Sequence, residues 1–192
     1  MCLVRIDYEA LGLKRKSLLE AISVCLGSKE IFNAEVLRET LGELVKDEPI
    51  PIPFMRTVIL ATQAMPEMKK YVLHEVVPKL ISRQVWDTAP KIWDGVVMFM
   101  KSAVSHREAE PTLRGILGLP YPQLHAILKL VPAAATPLAN VLNALSREEF
   151  DEVVKGYWAG LANPSENDKE GTASADKMKI INGLMKQKGN QK

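Results

Sequence analysis

Cysteine is almost missing from this chain, with two residues in 192, Cys2 and Cys25. Without further Cys or paired His nearby, neither a structural zinc site nor a disulfide framework can be built. Cys25 shares a helical face with Leu18 and Ile22, the setting of a buried, inert thiol rather than a nucleophile. Histidine is scarce as well, at three. His74-Glu75 begins the pattern of a zinc helix, but the second His would stand four residues on, where the chain has Pro78. His106 and His125 stand alone and suit solvated or capping roles. There is no Gly-rich loop ending in Lys-Ser or Lys-Thr to cradle a phosphate. Glu35, Glu39 and Glu43 recur every four residues opposite Leu37 and Leu41, which is the wet face of a helix and no acid–base pair. No assembled catalytic, metal or cofactor site can be singled out from these residues, which predicts a protein that is not an enzyme and leaves an unrecognised hydrolase, with only isolated His and acidic residues behind it, as a remote third reading. Long apolar runs are lacking too, each being broken by Lys, Glu or Pro before the about 18 residues a membrane helix needs. The first residues, Met1-Cys-Leu-Val-Arg-Ile-Asp7, carry charge where a signal peptide needs its apolar centre, which predicts an intracellular protein.

Net charge has little to offer either. Lys and Arg total 25 against 23 Asp and Glu, and residues 163–192 hold six Lys against four acids, so the first 162 residues sum to zero. A phosphate-binding face therefore requires charge segregated in space, and direct RNA contact is a secondary reading. Its one support is the run of cations Lys69, Lys70, Lys79, Arg83 and Lys91.

What the chain has in abundance is helical periodicity. Leu18, Ile22, Cys25 and Leu26 form one stripe and Leu37, Leu41, Leu44 and Val45 the next, with Asn33 placed to cap the second. Phe54, Val58, Ala61 and Met65 follow, then Leu73, Val76, Val77, Leu80 and Ile81, then Ile92, Val96, Phe99, Met100 and Ala103. Leu124, Ile127, Leu128 and Val131 give a shorter stripe. Phe150, Val153, Val154, Tyr157, Trp158 and Leu161 give a longer one behind a capping box of Ser146 and Glu149. Alternating strand patterns do not occur, so the fold is all-α. Pro53, Pro66, Pro78 and Pro90 recur at intervals of 13, 12 and 12 and mark helix starts or breaks, with a kink or an earlier boundary at Pro78. Short helices with tight connections predict antiparallel pairs stacked as a HEAT-like or solenoid array. One helical domain is expected over 1–162, followed by a mobile polar tail over 163–192 in which Met178, Ile181 and Met185 align as a short amphipathic helix.

The residues most suited to a partner lie at 49–59 and 83–95. Trp86 and Trp93 either fill a local core or, exposed together, anchor an interface. Arg56 sits between Met55 and an apolar run, where internal pairing with an acid or with helix-end carbonyls is expected and a direct partner contact is the alternative.

The same stretches carry a resemblance. Pro51-Ile-Pro-Phe-Met-Arg-Thr-Val-Ile59, Leu80-Ile-Ser-Arg-Gln-Val-Trp86, Pro90-Lys-Ile-Trp-Asp-Gly95 and Leu119-Pro-Tyr-Pro-Gln-Leu124 resemble, in order and spacing, the C-terminal domain of the symplekin family. Leu13-Lys-Arg-Lys-Ser-Leu-Leu-Glu-Ala21 and Pro132 to Asn143 also fit, so the likeness covers about residues 10–145. Val96 stands where an aromatic commonly follows, and the Ser102–Pro111 connection is longer than usual. The resemblance implies a nuclear, non-enzymatic scaffold domain of the pre-mRNA 3′-end cleavage and polyadenylation machinery. It further implies that the domain binds the endonuclease subunit of the cleavage and polyadenylation specificity factor, that subunit's inactive paralogue and other 3′-end processing factors. Family members are long and carry an N-terminal HEAT domain, so the chain reads as a C-terminal fragment or a reduced form. Arg56, Arg83, Gln84, Trp86, Lys91 and Trp93 are the partner-binding candidates within the matching motifs.

Overall fold

The computed structural model describes residues 2–5, 10–106, 108–149 and 151–153. Among these residues all regular structure is helical and no strand occurs, as the periodicity requires. They divide into two compact units, the first ending at Thr112 and the second beginning at Leu113.

In the first unit a 3-10 turn at Cys2–Arg5 precedes α1 (Arg15–Gly27), α2 (Ala34–Leu44) and α3 (Phe54–Ala64). α2 starts where its cap predicts, with the Val36 N–H donating to Asn33 Oδ1 at 3.0 Å. Its apolar stripe Leu37, Leu41, Leu44 and Val45 is fully buried, while Glu35, Glu39 and Glu43 lie on the opposite, wetter side. α3 is the middle element, packed against both α1 and α7 (Pro90–Ala103), and touching α2 and α4 (Met68–Tyr71). That position explains its composition. Phe54, Met55, Thr57, Val58, Ala61 and Thr62 are all buried, more than one face of a helix, and the two threonines return their hydroxyls to its own backbone. Thr57 Oγ1 donates to the Pro53 carbonyl at 3.1 Å and Thr62 Oγ1 to Ile59 at 2.9 Å, so neither leaves a polar atom orphaned in the core.

Three of the four spaced prolines stand at a helix beginning, and the fourth lies just past a π-turn within a continuous helical run. Pro53 precedes α3, Pro66 precedes α4, Pro90 opens α7, and Pro78 occupies the first turn of α5 (Val77–Ser82). The kink expected at Pro78 takes the form of a π-turn, Val72–Val76, in which the Val77 N–H reaches back five residues to the Val72 carbonyl. In that register the next carbonyl, Leu73, would take its bond from residue 78, and proline has no N–H to give. The buried Thr112 hydroxyl donates to the Leu73 carbonyl instead. One residue on, His74 Nε2 lies 3.0 Å from the Glu108 carbonyl, so the long polar connection after α7 is tied to the wide turn twice.

Three stripe residues before Val131 depart from full burial. Cys25, Ile81 and Leu128 are half-buried, because the stripe positions at the edge of a contact keep one side open; Cys25 is a free thiol at such an edge rather than in the core.

The second unit begins within α8 (Glu110–Leu117) and continues through α9 (Tyr121–Leu130), a 3-10 turn at Pro132–Ala134 and α10 (Ala135–Ala144). Pro132 breaks the helix sharply, and the segments Pro122–Leu130 and Pro132–Ala144 are bent by 109° to one another. No single helix among the described residues is long and apolar enough to cross a membrane. Past α10 the capping box forms as read, with the Ser146 N–H donating to Glu149 Oε2 at 2.8 Å and the Glu149 N–H to Ser146 Oγ at 3.2 Å. These bonds hold the Glu149 carboxyl below its ordinary pKa, the backbone bond from Ser146 contributing most. The stripe from Phe150 to Leu161 and the tail helix at 178–185 lie outside the described residues, apart from a half-buried Val153.

Replacing Thr112 by Val leaves the Leu73 carbonyl buried without a donor, and should lower unfolding free energy by about 1–3 kcal/mol. Thr112→Ser keeps the hydroxyl and should lose less, a difference measurable by chemical denaturation.

Candidate functional site

The partner-binding candidates fall around the corner that joins α5 to α7. After Ser82 the chain turns through Arg83 and then Gln84, which adopts the left-handed conformation at φ 50° and ψ 47° that usually belongs to glycine after a helix end. The short α6 (Val85–Thr88) follows and leads directly into α7. Trp86 from α6 and Trp93 from α7 meet edge to face, with ring centroids 5.6 Å apart and planes inclined at 75°. Trp93 is buried and Trp86 half-buried, so the pair divides between the two roles read from sequence: one ring belongs to the core and holds the other at the surface. Gln84 and Lys91 are exposed beside them in the chain.

Arg83 is not available in the same way. Its guanidinium donates through Nη1 to the Val45 carbonyl and through Nη2 to the Asp47 carbonyl at 3.1 Å, with the Glu48 carboxylate 3.9 Å away. Val45 caps the C-terminal end of α2, where carbonyls lack intrahelical partners and carry the negative end of the helix dipole. Arg83 thus does what was expected of Arg56. Arg56 itself is exposed on the remaining open strip of α3 and makes no ion pair or hydrogen bond with any described residue, which corrects the expectation of internal pairing. It belongs to a different surface, a shallow groove with Lys16, Leu19, Glu20, Ser23, Val24 and Leu60.

The loop that Arg83 grips is held from its other side by Arg5. Arg5 Nε and Nη2 reach the two Asp47 carboxylate oxygens at 2.6 and 2.9 Å, a bidentate pairing. Asp47 therefore has its side chain fixed by Arg5 and its backbone by Arg83. The hydrogen bonds from Arg5 hold its carboxyl below the ordinary range, with the Arg83 charge adding to the effect.

Glycine in the Trp-Asp-Gly sequence of α7 has a packing reason. A Cβ on Gly95 would lie 2.3 Å from Met55 Cβ and 2.9 Å from its Cγ, so α7 can approach α3 this closely only without a side chain there. A mid-helix glycine costs about 1 kcal/mol against alanine, and that cost is the sequence signal by which the contact could have been found. Gly42 plays a similar part in α2: a Cβ would meet the Tyr71 hydroxyl at 2.9 Å, and that hydroxyl donates to the Arg38 carbonyl at 2.8 Å. Burial raises the Tyr71 pKa.

Of the five cations in the run from Lys69 to Lys91, Lys70 faces Glu108 at 3.4 Å, Lys79 faces Glu75 at 3.1 Å and Arg83 is spent on carbonyls. Three of the five are thus engaged within the fold, and Lys69 and Lys91 take no part in these pairings. His106 Nδ1 accepts from the Glu108 N–H at 3.2 Å, a turn-capping role. Among the described residues no three His, Cys, Asp or Glu side chains converge as a metal site would need.

Residues 1–131 match the family described as Symplekin tight junction protein C terminal. The chain belongs to the symplekin C-terminal family. Its match takes in the whole first unit, including the Arg83–Trp93 corner and the α1–α3 groove, and ends at Val131, so Pro132 to Asn143 lies beyond it although the motif reading reached that far. Symplekin is a scaffold of mRNA 3′-end processing, and membership places the chain in that scaffold family. No solved structure matches the chain.

Gly95→Ala should force Met55 and the α3–α7 contact to shift and destabilise the protein by about 1–3 kcal/mol, read by denaturant unfolding. A carboxyl NMR titration should place Asp47 below an ordinary aspartate, and Arg5→Ala should return it upward. The sign follows from the lowered folded-state pKa: the stability contributed by the pair is present above the unfolded pKa and is lost as pH falls through the folded value. Wild type and Arg5→Ala should therefore differ in stability at neutral pH and converge in acid.

Proposed function

We propose that the first unit is a rigid docking body that binds, in the nucleus, the endonuclease subunit of the cleavage and polyadenylation specificity factor and its inactive paralogue, without a reaction of its own. Family membership over residues 1–131 carries this reading. The geometry supports it in a specific way. Trp86 is held at the surface by a buried Trp93 and flanked in sequence by exposed Gln84 and Lys91, so an aromatic anchor is presented with little freedom left to lose on binding. Arg83 contributes by fixing the corner from within rather than by touching the partner.

The rival, an RNA-contacting helical repeat, needs a stripe of free cations. Pairing of Lys70, Lys79 and Arg83 removes most of the one the sequence offered.

The purified chain should associate with the C-terminal regions of the two endonuclease subunits, and Trp86→Ala should weaken that association by about tenfold or more. No association at concentrations on the order of tens of micromolar, in moderate salt, would overturn the reading. RNA binding with a steep salt dependence in place of subunit binding would favour the rival.

A further inference from the structure

A second surface of the first unit has the properties of a docking site and has no part in the corner just described. Between α1 and the open strip of α3 runs a groove of about 420 Å³, with Leu19, Val24 and Leu60 along it and Lys16, Glu20 and Arg56 at its sides. Leu18, Ile22 and Leu26 on the inner face of α1 are buried, whereas Val24 is 74 % exposed. A β-branched apolar residue standing that far into water contributes nothing to the core of this unit.

Charge decides what could cover it. Lys16 is drawn toward Glu20 at 3.7 Å, which leaves Arg56 as the guanidinium on this surface with no partner among the described residues. The start of α1 adds to the same sign. Lys14, Arg15 and Lys16 crowd its N-terminal end, no acid stands in its first turn, and Lys14 at the cap position gives no side-chain hydrogen bond. The dipole already makes that end positive, so cations there work against the helix. α2, by contrast, opens with Asn33 as its cap and Glu35 in its first turn. The fold can therefore build a conventional helix start and does not do so at α1.

Apolar along its length and positive at its rim, the groove fits a peptide segment that combines leucine-like anchors with Asp or Glu. From Lys16 to Val24 it extends about 12 Å along the helix, enough for two anchors on one helical face or on alternate positions of an extended strand. A second copy of the chain is a poor occupant, because a two-fold contact centred on the groove would set a net positive surface against itself. Nucleic acid would find no aromatic platform among the lining residues on which to stack a base. The geometry points to this groove as the seat of an acidic, apolar-anchored segment of the endonuclease subunits, an inference that rests on the scaffold reading above.

Calorimetric titration of the full chain with the C-terminal regions of the two endonuclease subunits tests it. Arg56→Glu and Val24→Lys change exposed side chains and should leave helicity by circular dichroism unaltered, yet each should weaken binding by about tenfold or more, while Arg56→Lys keeps most of the affinity. Wild-type binding that neither substitution weakens overturns the groove and leaves the scaffold reading standing. The groove is likewise overturned if Val24→Lys alters only the chain's own oligomeric state, or if Arg56→Glu reduces only the binding of a single-stranded RNA probe. Failure of the wild-type chain to bind the subunits overturns both.

Discussion

A proline inside a buried helical stretch removes a hydrogen-bond donor, and much of the first unit follows from how that loss at Pro78 is made good. The π-turn at Val72–Val76 widens the helix enough to admit the ring, but it leaves the Leu73 carbonyl facing a position that cannot donate. A buried carbonyl without a partner would cost about 1–3 kcal/mol, a sizeable part of the about 5–15 kcal/mol that holds a domain folded. Thr112 supplies the missing donor, and to do so its segment must lie against the turn. The bond between His74 Nε2 and the Glu108 carbonyl and the ion pair of Lys70 with Glu108 then hold the same connection from neighbouring positions. A long, polar connection that would otherwise be free is thus recruited as a strap.

Rigidity elsewhere has a related origin in contacts that admit no slack. α3 is buried on two sides, and Gly95 brings α7 so near to Met55 that a single methyl would not fit. Asp47 is held by Arg5 through its carboxylate and by Arg83 through its backbone, which fixes the end of α2 to the corner bearing Trp86. The corner is consequently ordered before any partner arrives. Affinity lost to immobilising side chains and loops is smaller for such a surface, so a modest apolar anchor can suffice.

How much of this was legible from residues alone depended on the range of the interaction. Local signals translated directly: the apolar stripes gave the buried faces, three of the four spaced prolines lie at helix starts while Pro78 follows a π-turn, and both Asn33 and the Ser146–Glu149 box cap the helices they precede. Interactions between residues far apart in the chain did not. Arg56 and Arg83 look alike in sequence, each an arginine in a helical, apolar setting. Only the fold brings the α2 end, 36 to 38 residues away, under Arg83 and leaves Arg56 facing water. Gly95 against Met55 and Thr112 against Leu73 are of the same kind. The basic run from Lys69 to Lys91 was legible only in part, since the Lys79–Glu75 pair lies four residues apart on one helix whereas Glu108 reaches Lys70 from a distant part of the chain. For the candidate site, then, the motif positions were readable and their division into core, brace and surface was not.

That division bears on function through charge. A fold that commits Arg5, Lys70, Lys79 and Arg83 to its own carboxylates and carbonyls sets them apart from the cations whose placement serves no internal end. Arg56 and the uncapped, lysine-rich start of α1 are among the latter, and they flank the exposed Val24 and the half-buried Leu19 and Leu60. Exposed charge beside an exposed valine and half-buried leucines is unfavourable to neither by itself, but it gains nothing for the isolated chain. Burial of those apolar atoms by a segment that also supplies carboxylates would recover both the hydrophobic and the electrostatic term at once, each strengthened as water is displaced from the other. A scaffold that joins two partners, as proposed above, needs two places to hold them. The α6–α7 corner and the α1–α3 groove differ in chemistry, one aromatic and the other cationic and aliphatic, and unlike surfaces of one rigid body select unlike partners.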